Sequence, residues 1–136
     1  MNPISIIPMS HIDLSVNLCS IPLANPTILA SGILGTTKAF LKRVTENGAG
    51  AVTIKSISTE PREGHKNPTV ITFEAGMLNA VGYSNPGVSA AAREFSNLQD
   101  INAPVIASVI GMQKGDFVRV VEGLSGSQFS AIEIPL

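Results

Sequence analysis

The chain has 136 residues, 44% of them hydrophobic and 14% charged, with a formal net charge of −1. That composition describes a core-forming domain and excludes a disordered tail or a basic nucleic-acid binder; with no Trp and one Tyr it also lacks a base-stacking surface. A single cysteine and no apolar run near the ~20 residues of a membrane span point to a reducing, cytoplasmic setting, and the start MNPISIIPMS has no basic residue to make a signal peptide.

Residues 12–24 read as a β-hairpin. Leu14, Val16 and Leu18 alternate with Ser15, Asn17 and Cys19, and a turn around Cys19–Pro22 leads to a second short run. Pro26 opens a strand over Thr27–Ala30 that runs into Ser31-Gly32. The stretch Gly35-Thr36-Thr37 supplies a helix N-cap, Phe40, Leu41 and Val44 an apolar stripe, and Asn47-Gly48 a C-cap. Ala51–Ile57 follows as a strand buried on both faces, apolar except for Lys55 near its end. A lone ammonium in that place is costly to desolvate and calls for an anionic or strongly accepting partner.

Residues 58–84 are expected to form one long loop, polar through TEPREGHKNP and Gly-rich through FEAGMLNAVGY. Connections in α/β units usually take ~2–6 residues, and much longer ones tend to be functional. Within the loop, Glu60-Pro61-Arg62-Glu63-Gly64 reads as a solvated lid or interface without a catalytic part. Asn85 is expected to cap a helix whose first position is Pro86, with Val88, Ala91 or Ala92, Phe95 and Leu98 facing inward. Pro104–Ile110 is a third strand. Asp116 is expected to cap a helix carrying Phe117, Val120, Val121 and Leu124 at helical spacing, and Ser130–Leu136 is a fourth strand.

Strands alternating with helices imply an α/β fold with a parallel sheet. A (β/α)8 TIM barrel takes ~250 residues, so this chain would hold the hairpin and about four β/α units, residues 1–136 forming the first half of one barrel domain. An open doubly wound sheet suits the length too, but no GxGxxG follows the first strand, and Ser31-Gly32-Ile33-Leu34-Gly35 is a weak substitute.

Lys55 is the sharpest chemical signal, because ligands sit at the carboxyl ends of such strands; a lysine snorkelling into solvent is the plain alternative. Asn79 in MLNAVG can donate and accept beside Gly82, where a backbone can approach a ligand, or it can simply cap a turn. Ser31-Gly32 can hold polar ligand edges or be a bare strand-to-helix turn. His11 and His65 lack ligand spacing, so no metal site is expected. Cys19 is expected to be a small packed side chain, and Met9 and Met77 to fill gaps in apolar layers.

The set LSVNLCSIPLANP, ILASGILG, VTIKSISTEPREGHKNP, GMLNAVGYSNPG and PVIASVIG, in this order, resembles the N-terminal half of the class 1 dihydroorotate dehydrogenases, closest to class 1B. The resemblance covers essentially the whole chain and is most specific in TIKSISTEPREG and LNAVGYSNPG. It implies a barrel with FMN across the carboxyl ends of the strands, oxidising (S)-dihydroorotate to orotate in pyrimidine synthesis. It places Ala30, Ser31, Gly32, Lys55, Ser56 and Ser108 at the flavin. Lys55 would also reach the substrate, as would Asn79 and the backbone of Val81, Gly82 and Tyr83. It implies a homodimer, and by analogy an FAD and iron–sulfur partner subunit that passes electrons to NAD.

Two departures accompany the resemblance. Relatives continue strand four as E-[IL]-N-L-S-C-P-N, with the Cys as general base, whereas here Glu133-Ile134-Pro135-Leu136 puts a proline in place of a ligand-contacting Asn. The chain also stops before that Cys, and Cys19 in the hairpin cannot replace it, so the 136 residues alone are expected to be an incomplete enzyme. A half-barrel binding or assembly subunit, or a flavin barrel acting on another pyrimidine, remain the alternatives.

Overall fold

The computed structural model describes residues 12–32 and 34–135, so the expectations placed on Met9 and His11 lie outside the described residues. Its first element is the hairpin of β1 (Val16–Leu18) and β2 (Ile21–Leu23), antiparallel with Val16 opposite Leu23. The turn is Cys19-Ser20, both at positive φ (47° and 70°), the geometry that two-residue hairpins favour. Two details differ from the sequence reading. Pro22 lies inside β2 opposite Asn17, which a two-stranded ribbon tolerates, and Cys19 is exposed at the turn rather than packed.

The chain then continues through β3 (Ile28–Leu29), α1 (Lys38–Glu46), β4 (Ala51–Thr53), a second hairpin of β5 (Val70–Phe73) and β6 (Gly76–Asn79), α2 (Val88–Glu94), β7 (Val105–Ser108), α3 (Lys114–Leu124) and β8 (Ala131–Glu133). Strands β3, β4, β7 and β8 lie side by side in that order, all parallel. Each neighbours the next in sequence and the order never reverses, which sets this sheet apart from the doubly wound alternative with its switch point.

Alternation along the strands divides the sheet. Val52 and Ile54, with Val105, Ala107 and Val109, turn toward Leu41 of α1, Ala91 of α2, Phe95 just beyond it, and Val120 and Leu124 of α3. Burying each large aliphatic of this layer contributes about 1.5–3 kcal/mol. The other face carries Thr53, Lys55, Ile106 and Ser108, and this mostly polar side is where the chemistry gathers.

The regular strands are shorter than the apolar runs suggested. Beyond Thr53 the ladder continues as single bonds: Ile54 N donates to Ile106 O (2.9 Å), Lys55 N to Gly35 O (2.8 Å) and Ile57 N to Ser108 O (2.9 Å). Residues 58–84 also need correction, since they are not a plain loop. Val70-Ile71-Thr72-Phe73 pairs antiparallel with Gly76–Asn79, and Met77, expected as core filler, is 65% exposed there.

Helix α1 follows expectation: Thr37 Oγ1 accepts from Phe40 N and Asn47 closes the other end, with Leu41 fully buried although Phe40 is half-exposed. Helix α2 does not. Its N-cap is Gly87 at φ 76°, without a side-chain cap, and Pro86 lies before it. Asn85 is withdrawn from capping because its amide is engaged across the loop with Ser58 and Tyr83. In α3 the N-cap is Gln113, and Asp116 is the third residue of a capping box rather than the cap itself.

The Asp116 carboxylate accepts from Arg119 and from the N–H groups of Met112 and Gln113, in that order of effect, and these hold its pKa below the ordinary 3.8. A depressed folded pKa adds stability that is present above the unfolded value and is lost as pH falls through the folded one. Asp116→Asn is therefore expected to lower the melting temperature at neutral pH, with the gap to wild type closing below the usual carboxylate range. A gap of constant size in a circular-dichroism acid titration would show that the charge does not hold this cap.

Candidate functional site

The site grows from the carboxyl end of β4. After β3 the chain folds back so that Gly35 O takes the N–H of Lys55, filling the place of the strand that ended at Leu29. The same fold-back lays Gly32, at φ 107°, under the Lys55 side chain: a Cβ added at Gly32 would lie 3.7 Å from Lys55 Nζ. Lys55 is half-buried. Among the described residues the ion pairs are Lys38–Asp100, Lys42–Asp100 and Arg119–Asp116, and Lys55 takes part in none of them.

The second wall comes from the returning limb of the excursion 58–85. Arg62 and Asn85 exchange backbone hydrogen bonds (2.9 Å each), His65 N donates to Val81 O (3.1 Å), and Ala80 N to Thr69 O (2.8 Å). The outgoing limb thus braces the segment 79–85 along its length. At Gly82 (φ 75°) and Tyr83 (φ 53°) the backbone takes two successive left-handed residues. The glycine is required there: a Cβ would come within 2.9 Å of both the backbone N and the ring Cδ2 of His65. Tyr83 carries a strain of order 1 kcal/mol, offset by the amide of Asn85 donating to its carbonyl at 2.8 Å.

Between the walls lies a cleft of about 700 Å³, a size that suits a small-molecule ligand. It is lined by Ser31 and Gly32 on one side, Lys55 and Ser56 at the base, and Asn79 to Tyr83 on the other. Eight of the residues singled out from sequence are thereby brought together: Ser31, Gly32, Lys55, Ser56, Asn79, Val81, Gly82 and Tyr83. Two are not. Ala30 is exposed outside the wall, and Ser108 is fully buried behind it, its hydroxyl 2.9 Å from that of Ser56.

Arg62, His65, Ala80 and Pro135 complete the lining and were not expected there. Arg62 belongs to the stretch 60–64 that looked like a solvated lid and His65 follows it, and pairing with 80–85 brings both to the cleft. Pro135, just beyond β8, is the position at which the resemblance implies an Asn. A smaller cavity of about 330 Å³ adjoins the first, sharing Arg62, Tyr83 and Pro135 and adding Asp116.

The lining of the larger cleft contains Lys55, Arg62 and His65 and no carboxylate, in a chain whose net charge is −1. Such a wall, with Asn79 and the backbone of 80–83 beside it, suits a polar, anionic ligand. A compact ammonium at the base can stabilise negative charge that develops during a reaction. No described helix is long and apolar enough to cross a membrane.

Residues 13–136 match the family described as dihydroorotate dehydrogenase. Among curated proteins, the chain is 46% identical over 114 residues to the dihydroorotate dehydrogenase B (NAD(+)) catalytic subunit of Methanocella arvoryzae, covering 84% of this chain and 38% of that protein. The protein of the same name from Methanosarcina acetivorans is 46% identical over 120 residues, with 87% and 39% covered. The one from Pyrococcus abyssi is 42% identical over 123 residues, with 90% and 40% covered. The chain therefore spans about two-fifths of the length of these relatives.

Proposed function

The chain belongs to the dihydroorotate dehydrogenase family, and on that footing we propose that it forms the amino-terminal part of an FMN-binding (β/α)8 barrel that oxidises (S)-dihydroorotate to orotate. The observation that carries this reading is the basic cleft at the carboxyl end of β4, with Lys55 in its base and no carboxylate in its wall. The uninterrupted order β3, β4, β7, β8 is that of successive barrel strands. Ile28 and Phe40 on one flank and Ile132 and Ile134 on the other are 40–49% exposed, which suits further strands and helices packing there.

FMN would supply the electron acceptor. The residues fit it: Gly32 leaves open the space a side chain would fill beside Lys55, and Ser31 and Ser56 offer hydroxyls on either side. Ser108 contributes by fixing the Ser56 hydroxyl rather than by contact. Ala30 would meet the flavin only from the rim. Lys55 holds negative charge at the base of the cleft and reaches the substrate, whose polar edge is met by Asn79 and the backbone of Val81, Gly82 and Tyr83. None of these residues is assigned the role of accepting the substrate's proton.

The relatives are named catalytic subunits of an NAD(+)-linked enzyme, which supports a partner subunit, with FAD and an iron–sulfur cluster, that passes the electrons on. The β5–β6 hairpin exposes Val70, Ile71, Phe73 and Leu78, each 48–59% accessible, an apolar surface that suits a homodimer contact. We assign the protein to the cytoplasm.

Anaerobic addition of dihydroorotate to the FMN-loaded holoenzyme tests the activity: the flavin absorbance should bleach, and orotate should appear. Asn79→Ala is expected to raise KM for dihydroorotate about tenfold, the worth of one or two good hydrogen bonds, with FMN content unchanged. A wild-type holoenzyme that does not bleach would overturn the assignment.

A further inference from the structure

We infer that Asn85 is a positioning residue for substrate recognition, holding the segment 79–83 in its ligand-facing shape from outside the cleft. This rests on the function proposed above for that segment. Asn85 is not in the wall of the cleft. It is 7% exposed, and its side chain is the hub at the neck of the excursion.

Its Oδ1 accepts from the backbone N–H of Ser58 (3.2 Å) and of Gly87 (3.0 Å). Its Nδ2 donates to Ser58 Oγ (2.9 Å) and to Tyr83 O (2.8 Å). Ser58 Oγ in turn donates to Glu60 O (2.7 Å). One amide thus ties the outgoing limb to the returning limb, which are 27 residues apart, and links both to Gly87, the N-cap of α2. The two halves of that amide do different work. The oxygen takes the N–H groups of Ser58 and Gly87, while the nitrogen bonds Ser58 Oγ and is the one atom of the side chain that reaches Tyr83, the left-handed residue that follows Gly82 and ends the substrate-facing run.

Asn85→Asp separates the two. The carboxylate keeps an acceptor for Ser58 N and Gly87 N, and the Ser58 hydroxyl can turn from Glu60 O to donate to it, but it sets an oxygen against the Tyr83 carbonyl in place of a donor. The neck should stay closed while Tyr83 is pushed from its left-handed conformation and carries 79–83 with it. Contacts made equally to substrate and transition state are then lost, which raises KM with kcat unchanged.

The experiment compares the wild-type and Asn85→Asp holoenzymes in two arms. In the first, trypsin cleavage after Arg62 and Lys66 and amide hydrogen exchange of 79–83 are followed without ligand. In the second, kcat and KM for dihydroorotate and the affinity for orotate are measured. The expected result is faster exchange at 80–83 with little added cleavage, KM raised about tenfold, orotate affinity lowered to match, and kcat within twofold. Ser58→Ala, which cuts the neck instead, should accelerate cleavage. Unchanged exchange at 80–83 in Asn85→Asp overturns the proposal whatever the enzyme does. Faster exchange with unchanged KM and orotate affinity overturns it too, and shows that 79–83 does not hold substrate. If the wild type turns over no dihydroorotate, the functional reading fails separately, and the exchange arm still decides whether Asn85 holds the segment.

Discussion

Lys55→Ala is expected to slow reduction of FMN by dihydroorotate at least tenfold and to lower the flavin's reduction potential. The reason is differential. Negative charge accumulates on the flavin as it takes up electrons, so a fixed cation beside it favours the reduced state more than the oxidised one. At ~4 Å and an effective dielectric near 20 the Coulomb term is about 4 kcal/mol before desolvation is subtracted. A net differential of ~1.4 kcal/mol already makes the tenfold effect. Lys55 is available for this task because no carboxylate among the described residues neutralises it. Lys55→Arg should also lose activity. A planar guanidinium is wider than an ammonium, and the space beside Nζ is bounded by Gly32, whose missing side chain would stand 3.7 Å away. Stopped-flow bleaching of the FMN band measures the rate, and a redox titration the potential. Wild-type values for both in Lys55→Ala would make Lys55 a snorkelling lysine and remove it from the site.

What the sequence revealed and what it hid divide along local and non-local interactions. The strands at Ala51 and Val105 were legible because they are buried on both faces and so read as unbroken apolar runs. Helix α1 was legible because Thr37 and Asn47-Gly48 are caps that act within one turn of their own position. The hairpin β5–β6 was hidden although Val70, Ile71 and Phe73 favour strands. All four residues of each strand are exposed, so no alternation of buried and solvent-facing positions marks them. Asn85 before Pro86 looks like a helix cap in sequence, and only the fold shows Ser58 claiming its amide from 27 residues away. Arg62 and His65 were missed for the same reason, since it is pairing with Asn85 and Val81 that brings their charged stretch to the cleft. The place of Lys55 in a cleft was legible from one charge in an apolar strand. Its setting was not, because that depends on Gly35.

Gly35→Ala is expected to destabilise the protein by several kcal/mol and to strip FMN from it, although it adds only one methyl group. A Cβ at this position would lie 2.7 Å from both Lys55 N and Thr53 O, and 2.9 Å from Ile54 C. Those atoms are backbone of Thr53, Ile54 and Lys55, at and just beyond the end of β4, where pairing of Thr53 with Ile106 and the bond from Ile54 N to Ile106 O hold them to β7 and keep them from withdrawing. The loop must retreat instead. Overpacking of this kind costs about 1–3 kcal/mol, and pulling Gly35 O away from the Lys55 N–H leaves a buried donor unpaired, for about 1–3 kcal/mol more. Against a total stability of ~5–15 kcal/mol that is a large fraction. The same retreat lifts Ser31 and Gly32 from Lys55, so flavin content should fall even in molecules that stay folded. Gly115→Ala is the matched control. Gly115 lies inside α3 with nothing within 4 Å of a built Cβ, so the same methyl should stabilise by up to ~1 kcal/mol through helix propensity. Urea unfolding at constant slope reads both changes. If Gly35→Ala unfolds at the wild-type midpoint and keeps its FMN, the fold-back at Gly35 is not clamped to Lys55, and the cleft does not depend on it.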